Sequence, residues 1–163
     1  MDQTPFLVRT ASEADAKNLS AMMIASWRES YSALIAPTKL NHICDNWLSS
    51  KQFEERIADQ NACNLLAVCN GRIVGHSYVL PKDKNSLLVA YLYVLKQHAG
   101  RGIGTTLLNS SVACFPGTSH IELGVLRDNH AAIEFYKAFG FFEAGPEPKQ
   151  IDEPASIKMT MAL

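Results

Sequence analysis

The most constraining feature of this sequence is residues 92–108, LYVLKQHAGRGIGTTLL, where an apolar run passes through a glycine-rich segment into a helix-like pattern. The run that leads into it, LLVAYLYVL, is apolar without interruption, which is typical of a strand buried on both faces. Gly100, Gly102 and Gly104 permit backbone angles and close approaches that other residues resist. The segment therefore predicts a strand, a tight turn and a helix in succession, as in an α/β fold.

The rest of the chain contributes further strands and helices. FLVRT and HIELGVL are typical of strands, and two β-prone runs flank Asn70 and Gly71, the strongest short hairpin signal. An amphipathic helix follows FLVRT, and helical patterns also occupy residues 38–58 and 129–139, the last closed by Gly140. FFEAG and IKMTMAL predict two final strands. The order β-α-α-β-β-β-α-β-α-β-β combines hairpins with β-α-β crossovers, so we expect a mixed sheet.

Length and charge limit the classes of protein that are expected. The chain has 163 residues, which predicts a single domain, 1–163, since domains usually have roughly 100–200 residues. Its formal net charge of -1 gives no global basic field, so nucleic acid is not an expected partner. No apolar window approaches about 18 residues, so no membrane partner is expected. The first residues do not resemble a secretory signal, which favours a cytoplasmic protein.

The cysteines predict neither a metal site nor a redox motif. Cys44, Cys63, Cys69 and Cys114 form no C-x-x-C pair and have no histidine at zinc-finger spacing. We therefore expect no metal. The favoured interpretation is four small buried thiols in a reducing cytosol, and disulfides or a catalytic thiol are the alternatives.

The glycine-rich turn has the features of an anion-binding site. Unpaired N–H groups at a helix start, together with the helix dipole, attract anions, and the Arg101 guanidinium adds a charge that fits phosphate. A Walker A loop does not match, because it needs a Gly-Lys pair. A dinucleotide fingerprint does not match either, because Thr105 stands where it needs glycine. A glycine-rich turn without any ligand is the structural alternative.

Two motifs in this region resemble those of the Gcn5-related N-acetyltransferase (GNAT) superfamily. The acetyl-CoA motif Q/R-x-x-G-x-G/A falls on residues 99–104, with Ala99 in place of glutamine or arginine. The second motif, N-x-x-A-x-x-x-Y-x-x-x-G-F, falls on Asn129, Ala132, Tyr136, Gly140 and Phe141. The resemblance is strong over residues 85–142 and loose before residue 60. Each motif alone is moderately specific, and the pair in this order is strong.

The resemblance implies a GNAT fold, with a mixed central sheet, helices on both faces and parallel strands splayed apart at the acetyl-CoA site. It implies an N-acetyltransferase with acetyl-CoA as its cosubstrate. By resemblance, pantetheine pairs like an extra strand with the backbone of Leu92, Tyr93 and Val94. The pyrophosphate would be held by the backbone of Gly100, Arg101, Gly102, Ile103, Gly104 and Thr105. Since these contacts are largely backbone amides, the loss at Ala99 should be tolerable.

Tyr136 is the expected general acid. A phenol has a reference pKa of about 10, so it is protonated at pH 7 and can donate to the departing CoA thiolate. Packing beside Phe135 and Phe139 is the alternative role. By resemblance Asn129 contacts the cofactor, and it can also cap its own helix.

The general base has no obvious candidate on the strand LLVAYLYV, which carries no acid. The usual acidic position of the family, five residues before Asn129, is Gly124 here. Glu122 lies two residues earlier and projects to the same face, so it is the first candidate, with a structural or solvated carboxylate as the alternative. Further candidates, acting through an ordered water, are Tyr91, His76 and His120. An α-amine or arylamine acceptor would need little help from a base.

In this family the first helix, the loop after it and the loop between the last two strands build the acceptor pocket. The residues that fall there or beside it are Trp27, Tyr31, Leu34 and Tyr91. The later loop, GPEPKQIDEP, is net acidic and compatible with an amine acceptor, although a solvated loop is the simpler interpretation. Small polyamines, amino acids, antibiotics and protein N-termini are all open as acceptors. Family members often dimerise, so a homodimer is an open alternative to a monomer.

Two other classes of function stay open from the sequence alone. A non-catalytic acyl-CoA-binding or regulatory module is favoured by the missing acid and opposed by the retained Tyr136. A nucleotide-phosphate-binding domain is weakened by the absence of a Walker lysine.

Overall fold

The computed structural model describes residues 4–148 and 154–163. The helices in that part of the chain are α1 Ala16–Tyr31, α2 Pro37–Asn46, α3 Ser50–Ala58, α4 Ile103–Ala113 and α5 His130–Phe139. The strands are β1 Phe6–Thr10, β2 Cys63–Cys69, β3 Arg72–Pro81, β4 Ser86–Val94, β5 His120–Leu126, β6 Phe142–Pro146 and β7 Ser156–Ala162. Short 3-10 turns occupy Glu13–Asp15 and Lys96–His98. Within the described ranges no helix is long and apolar enough to cross a membrane.

The strands form one seven-stranded sheet in the order β1-β2-β3-β4-β5-β7-β6. β4 and β5 are parallel, because the chain between them crosses over through α4, and the other neighbouring pairs are antiparallel. The β2–β3 hairpin turns at Asn70 and Gly71, which have positive φ values of 50° and 73°, as a tight two-residue hairpin requires. The mixed sheet expected from the order of the elements is confirmed.

Helices cover both faces of this sheet. Alternate side chains of a strand point to opposite faces, so Leu66 of β2 packs with α1, α2 and α3, while Leu65 and Ala67 pack with α4. α5 lies on the same side as α4, where its Ile133 packs against Leu123 of β5. Burial on both faces explains why the central strands are apolar runs without polar alternation.

β4 and β5 are paired only where they begin. The register pairs are Ser86 with His120, Leu87 with Ile121 and Leu88 with Glu122. β4 then continues to Val94 and β5 to Leu126, so the two strands separate and their main-chain groups border a gap. The splayed parallel strands expected from the sequence are confirmed.

A bulge at Ala90 directs the side chains of β4 around this gap. Tyr78 of β3 pairs with Tyr91, while Val79 pairs with Val89, so Ala90 is an extra residue in β4. One extra residue reverses the alternation of a strand. Val89 therefore packs on the side of α5, whereas Tyr91 packs on the opposite side, with α1 and α3.

The helical region expected at residues 38–58 is two helices, not one. α2 ends at Asn46, and Ser49 caps α3, its Oγ accepting a hydrogen bond from the Gln52 backbone N–H at 3.4 Å. Leu48, between the helices, is completely buried, so the chain turns inward at this point. The serine was a visible capping signal, but the buried leucine beside it continues an apolar pattern and conceals the break.

The cysteines differ from the expectation of four free thiols. Cys63 of β2 and Cys114, which follows α4, form a disulfide with their Cα atoms 6.4 Å apart. The packing of α4 on β2 brings the two together across a sequence separation of 51, so their spacing gave no signal. Cys44 and Cys69 are buried free thiols, as expected.

Candidate active site

A cavity of about 910 Å³ lies at the gap between β4 and β5. Its walls come from α1, α2, the second half of β4, the glycine-rich turn, the end of β5 and α5. The predicted site residues that line it are Trp27, Tyr31, Tyr91, Leu92, Tyr93, Val94, Gly100, Gly102, Ile103, Gly104, Thr105, Asn129 and Tyr136. Arg101 and Glu122, also predicted, are not among the lining residues. The separation of two parallel strands thus brings together residues that are distant in sequence.

The glycine-rich turn forms one end of the cavity. Gly100 and Gly102 have φ values of 74° and 77°, and no other atom lies within 4 Å of the position that a Cβ would take at either residue. Gly102 is the N-cap of α4, and its carbonyl accepts from the Thr106 N–H at 2.9 Å. The N–H groups of the first turn of α4, residues 103–105, therefore have no acceptor within the helix, and they carry the positive end of its dipole. This arrangement suits a phosphate group.

Two residues of the turn act differently from the expectation. A Cβ at Gly104 would lie 3.2 Å from Phe135 Cζ, so this glycine permits the close approach of α5 to α4. The Arg101 guanidinium is directed to the Thr4 carbonyl and, at 2.8 Å, to His98 Nδ1. The Arg101 side chain thus ties the turn to residue 4, and its charge is not directed to the cavity.

Tyr136 of α5 lies in the wall of the cavity. Its ring packs edge-on against Phe135 and Phe141, with centroid distances of 5.3 Å and 5.5 Å. Burial, and then the nearby hydroxyl of Tyr31, raise the pKa of Tyr136 above its ordinary value. The hydroxyl therefore stays protonated through the physiological range. A packed ring and a hydroxyl directed to the cavity are compatible, so the structural and catalytic interpretations do not exclude each other.

Tyrosine hydroxyls from both faces of the sheet approach one another across the gap. Tyr31 of α1 and Tyr93 of β4 share a hydrogen bond, with 3.1 Å between their hydroxyl oxygens. Burial, followed by its interactions with Tyr31 and Tyr136, raises the pKa of Tyr93 well above its ordinary value. Asn129 caps α5 by accepting from the Ala132 N–H at 3.2 Å, and its side chain also interacts with the Tyr31 hydroxyl. The sequence analysis predicted only the Tyr93 backbone at the site, and the structure adds the Tyr93 hydroxyl to the groups found there.

The residues expected in the acceptor pocket form an aromatic wall. Trp27 lies edge-on to Tyr31, with 4.7 Å between ring centroids, and Tyr91 lies 6.1 Å from Tyr93. The Trp27 Nε1 is buried and has no hydrogen-bond partner among the described residues. The wall is therefore mainly aromatic, which suits an organic acceptor with an apolar portion.

Arg56 is a cavity residue that the sequence analysis missed. Its guanidinium carbon lies 5.1 Å from the ring centroid of Tyr91, and its Nη1 donates to the Trp47 carbonyl at 2.7 Å. Lys39 of α2 also lines the cavity, and none of the described lining residues is Asp or Glu. α2 and α3 reach the site only through their packing on α1, which local patterns do not reveal. Much of the acidic loop expected in this wall, residues 149–153, lies outside the described residues.

Glu122 lies where β5 is still paired with β4, outside the cavity wall that contains Tyr136. Its carboxylate contacts Lys82 Nζ, and Lys158 Nζ lies 2.9 Å from its Oε2. Burial raises the pKa of Glu122, but hydrogen bonds from the two lysines outweigh it and leave the pKa below its ordinary value. A carboxylate held by two cations is well suited to joining strands β3, β5 and β7 and poorly suited to accepting a proton.

The two histidines considered as bases also lie outside the cavity wall. His76 is completely buried outside the cavity wall, with Nε2 2.8 Å from Asn64 Oδ1. Burial, and then the charge of Arg56, lower the pKa of His76 to about 3. His120 lies beside Ser119 on the exposed side of β5, and of these candidates Tyr91 alone lines the cavity. Within the described ranges no group of three or more His, Cys, Asp or Glu side chains could hold a metal ion.

Known proteins share both the sequence pattern and the architecture. The family model described as Acetyltransferase (GNAT) family matches residues 22–141. An uncharacterised N-acetyltransferase of Mycobacterium bovis is 30% identical over 129 residues, which cover 78% of this chain and 83% of that protein.

Solved structures resemble the fold over nearly its whole length. The PaiA N-acetyltransferase of Thermoplasma acidophilum, solved in complex with coenzyme A, has a TM-score of 0.84 at 19% identity, over 98% of this chain and 99% of that chain. The ribosomal-protein-S18-alanine N-acetyltransferase of Escherichia coli has a TM-score of 0.69 at 18% identity, over 97% of this chain and 94% of that chain. These likenesses concern the fold, whereas the family match spans most of the sequence. This chain is therefore an N-acetyltransferase that belongs to the GNAT family.

Proposed function

We propose that this chain transfers an acetyl group from acetyl-CoA to the amine of a small molecule or peptide, by direct attack and without a covalent enzyme intermediate. The observation that carries the proposal is one continuous cavity. It has an anion-binding helix start at one end, an open strand edge along its length and Tyr136 in its wall.

The cofactor end of the cavity fits acetyl-CoA. The open space at Gly100 and Gly102 leaves the backbone amides accessible to a pyrophosphate, as proposed for residues 100–105. Beyond Leu88 the edge of β4 is released from β5, so main-chain groups of residues 92–94 are available to amide groups of pantetheine. In this arrangement Asn129 interacts with the cofactor while it continues to cap α5.

The reactive step needs one proton donor, which Tyr136 supplies in our proposal. The neutral amine nitrogen forms a bond to the thioester carbonyl carbon, the carbon–sulfur bond breaks, and the phenol gives its proton to the departing sulfur. The nitrogen sheds one proton as the amide forms, and this proton restores the phenol, directly or through water. Because the pKa of Tyr136 is raised, the phenol carries this proton at every physiological pH. Backbone N–H groups of the β4 edge near the thioester can stabilise negative charge on the carbonyl oxygen.

Release of the CoA thiol in the presence of different amines tests this proposal. Acetyl-CoA is incubated with the protein and with spermidine, benzylamine, aniline or an alanine-starting peptide, and release of the CoA thiol is measured. We expect release with at least one amine. Binding of acetyl-CoA without release for any of them would favour the non-catalytic binding module, for which the lack of a carboxylate among the described lining residues is the supporting observation.

The Tyr136→Phe variant tests the role of the phenol. The ring and its packing are kept, so acetyl-CoA affinity should change little, while the turnover number should fall roughly 10–10⁴-fold. The acetyl thioester of a more acidic thiol should suffer less from the loss, because its leaving group needs less protonation. An unchanged turnover number, with chemistry shown to be rate-limiting, would leave Tyr136 as a packing residue.

Three expectations from the sequence stay predictions. They are a cytoplasmic location, the absence of nucleic-acid and membrane partners, and a homodimer as an alternative to the monomer.

A further inference from the structure

If the chain acetylates an amine as proposed above, that amine must lose a proton before it attacks. An alkyl ammonium with a pKa of about 10.4 is about one part in a thousand unprotonated at pH 7.4. The described cavity wall contributes no carboxylate to accept this proton, and the Glu122 carboxylate is held by Lys82 and Lys158. A group other than these must therefore accept the proton of the ammonium.

Gly124 occupies the position at which the resemblance leads us to expect an acidic side chain. It lies in the part of β5 that has separated from β4, and it lines the cavity. Glu147 is not itself a lining residue, but its side chain lies directly over this glycine. A Cβ built on Gly124 would be 3.5 Å from Glu147 Cγ, 3.6 Å from its Cδ and 3.8 Å from its Oε1. The carboxyl group of Glu147 thus occupies the space that a side chain at position 124 would otherwise enter.

The order of the strands explains how Glu147 reaches this place. β7 lies between β5 and β6, and the Glu147 side chain, just after the end of β6, reaches past β7 to Gly124 of β5. The Glu147 N–H donates to the Ser156 carbonyl at 3.0 Å, and Ser156 itself lines the cavity. This backbone contact fixes Glu147 at the end of β6, beside the released part of β5.

We propose that the Glu147 carboxylate is the general base for the acceptor amine, in place of the side chain that Gly124 lacks. An oxygen of Glu147 takes the proton from the amine nitrogen, directly or through one water. The nitrogen then forms its bond to the thioester carbonyl carbon, the carbon–sulfur bond breaks, and the sulfur receives the Tyr136 proton. The nitrogen sheds a second proton as the amide forms, and this proton restores the Tyr136 phenol, directly or through water. Of the two protons that the ammonium loses, one is thus held by Glu147 and the other replaces the proton that Tyr136 gave to the sulfur, so the step is balanced.

The charged neighbours leave Glu147 available for this role. On β7 Lys158 is in register with Gly124, and its Nζ is paired with Glu122 of β5. On β6 Glu143 is paired with Lys137 of α5, with 3.3 Å between Oε1 and Nζ. No hydrogen bond or ion pair joins the Glu147 carboxylate to another side chain within residues 4–148 and 154–163.

The test compares two amines of similar shape, benzylamine and aniline, of which the first is an ammonium ion at neutral pH and the second is neutral. Glu147→Gln should lower the turnover number with benzylamine by about 10²–10⁴-fold at pH 7 and change that with aniline by less than about threefold. In this variant the rate with benzylamine should rise about tenfold per pH unit, following the free amine. Glu143→Gln, which changes an exposed carboxylate on β6 four residues before Glu147, is the matched control and should behave like wild type.

A rescue variant separates chemistry from folding. In the Glu147→Ala background the three atoms nearest to a Cβ at Gly124 among the described residues have been removed, which makes room for Gly124→Glu. This double variant should have a turnover number with benzylamine at least tenfold higher than that of Glu147→Ala. Acetyl-CoA affinity should be the same in all of these proteins.

The outcomes are distinguishable. Wild type that releases CoA with none of the panel amines overturns the proposed function, and this inference with it. Active wild type with unchanged benzylamine turnover in Glu147→Gln overturns this inference alone. Equal losses with benzylamine and aniline overturn it as well, because they indicate a structural role for Glu147.

Discussion

His76 is a titratable side chain that the fold holds in its neutral form. Burial lowers its pKa to about 3, and its ordinary value is 6.5, so the folded protein resists a proton that the unfolded chain accepts. Above pH 6.5 both states are neutral and the full stability is present. As the pH falls from 6.5 towards 3, the unfolded state gains a proton and stability is lost.

We predict that this loss is measurable. Between pH 8 and pH 5 the free energy of unfolding should fall by about 2 kcal/mol on account of His76, approaching 1.36 kcal/mol for each pH unit below 6.5. His76→Gln, which keeps a donor for Asn64 Oδ1, should make the pH dependence correspondingly shallower. Denaturant unfolding at several pH values measures the slope. His120→Gln, at an exposed histidine, is the control, and equal slopes in wild type and His76→Gln would contradict the prediction.

The positions of single residues were predictable where they depend on local spacing. Asn129 and Tyr136 lie on one helix, and a cap followed by a tyrosine two turns later is visible in the sequence. Arg101 and Glu122 were placed less well, because their contacts depend on Thr4, Lys82 and other residues far along the chain. The sequence shows which side chains are charged, but it does not show which of them are paired with another charge.

At the scale of elements, the strand–turn–helix unit behaves as its glycines predict, and two positions allow a matched comparison. Gly102 at the start of α4 and Gly117 after its end have φ values of 77° and 86°, and neither has another atom within 4 Å of a built Cβ. Alanine at either position must adopt a left-handed conformation, at a cost of about 1–2 kcal/mol.

We therefore expect Gly102→Ala and Gly117→Ala to lower the free energy of unfolding by similar amounts. Acetyl-CoA affinity should fall at least tenfold in Gly102→Ala alone, because a Cβ there enters the space in front of the unpaired amides. Thermal unfolding and titration calorimetry measure the two effects. Wild-type affinity in Gly102→Ala would show that the pyrophosphate lies elsewhere.

Elements with strong local signals were predicted well. The β2–β3 hairpin follows from Asn70 and Gly71, and β4 follows from its apolar run. The break before Ser49 and the bulge at Ala90 were not predicted. Both depend on tertiary packing, since Leu48 is drawn into the core and the bulge adjusts β4 to a strand that departs from it.

At the scale of the whole molecule, the sheet consists of two halves joined at three register pairs between β4 and β5. β1 to β4 form one half, and β5, β7 and β6 form the other. The cavity lies between the halves, and both contribute lining residues. A ligand in the gap therefore contacts both halves and adds the hydrogen bonds that the separated strands lack.

This geometry predicts where acetyl-CoA should slow hydrogen exchange. Protection should increase in residues 90–94 of β4 and in the glycine-rich turn, and also across the gap in residues 123–126 of β5. At a ligand concentration of about 100 times Kd the folded state should gain about 2.7 kcal/mol. Exchange followed by mass spectrometry and a thermal shift measure the two effects.

The edge strands and a second nucleotide serve as the controls. β1 and β6 lie at the outer edges of the sheet, so their exchange should change little when acetyl-CoA binds. ATP shares the phosphates but lacks pantetheine, so it should leave the β4 and β5 amides unprotected. Protection by ATP equal to that by acetyl-CoA would favour a nucleotide-phosphate site. Protection confined to the glycine-rich turn would place the pantetheine arm outside the gap, because an arm that bridges the strands must protect both sides of it.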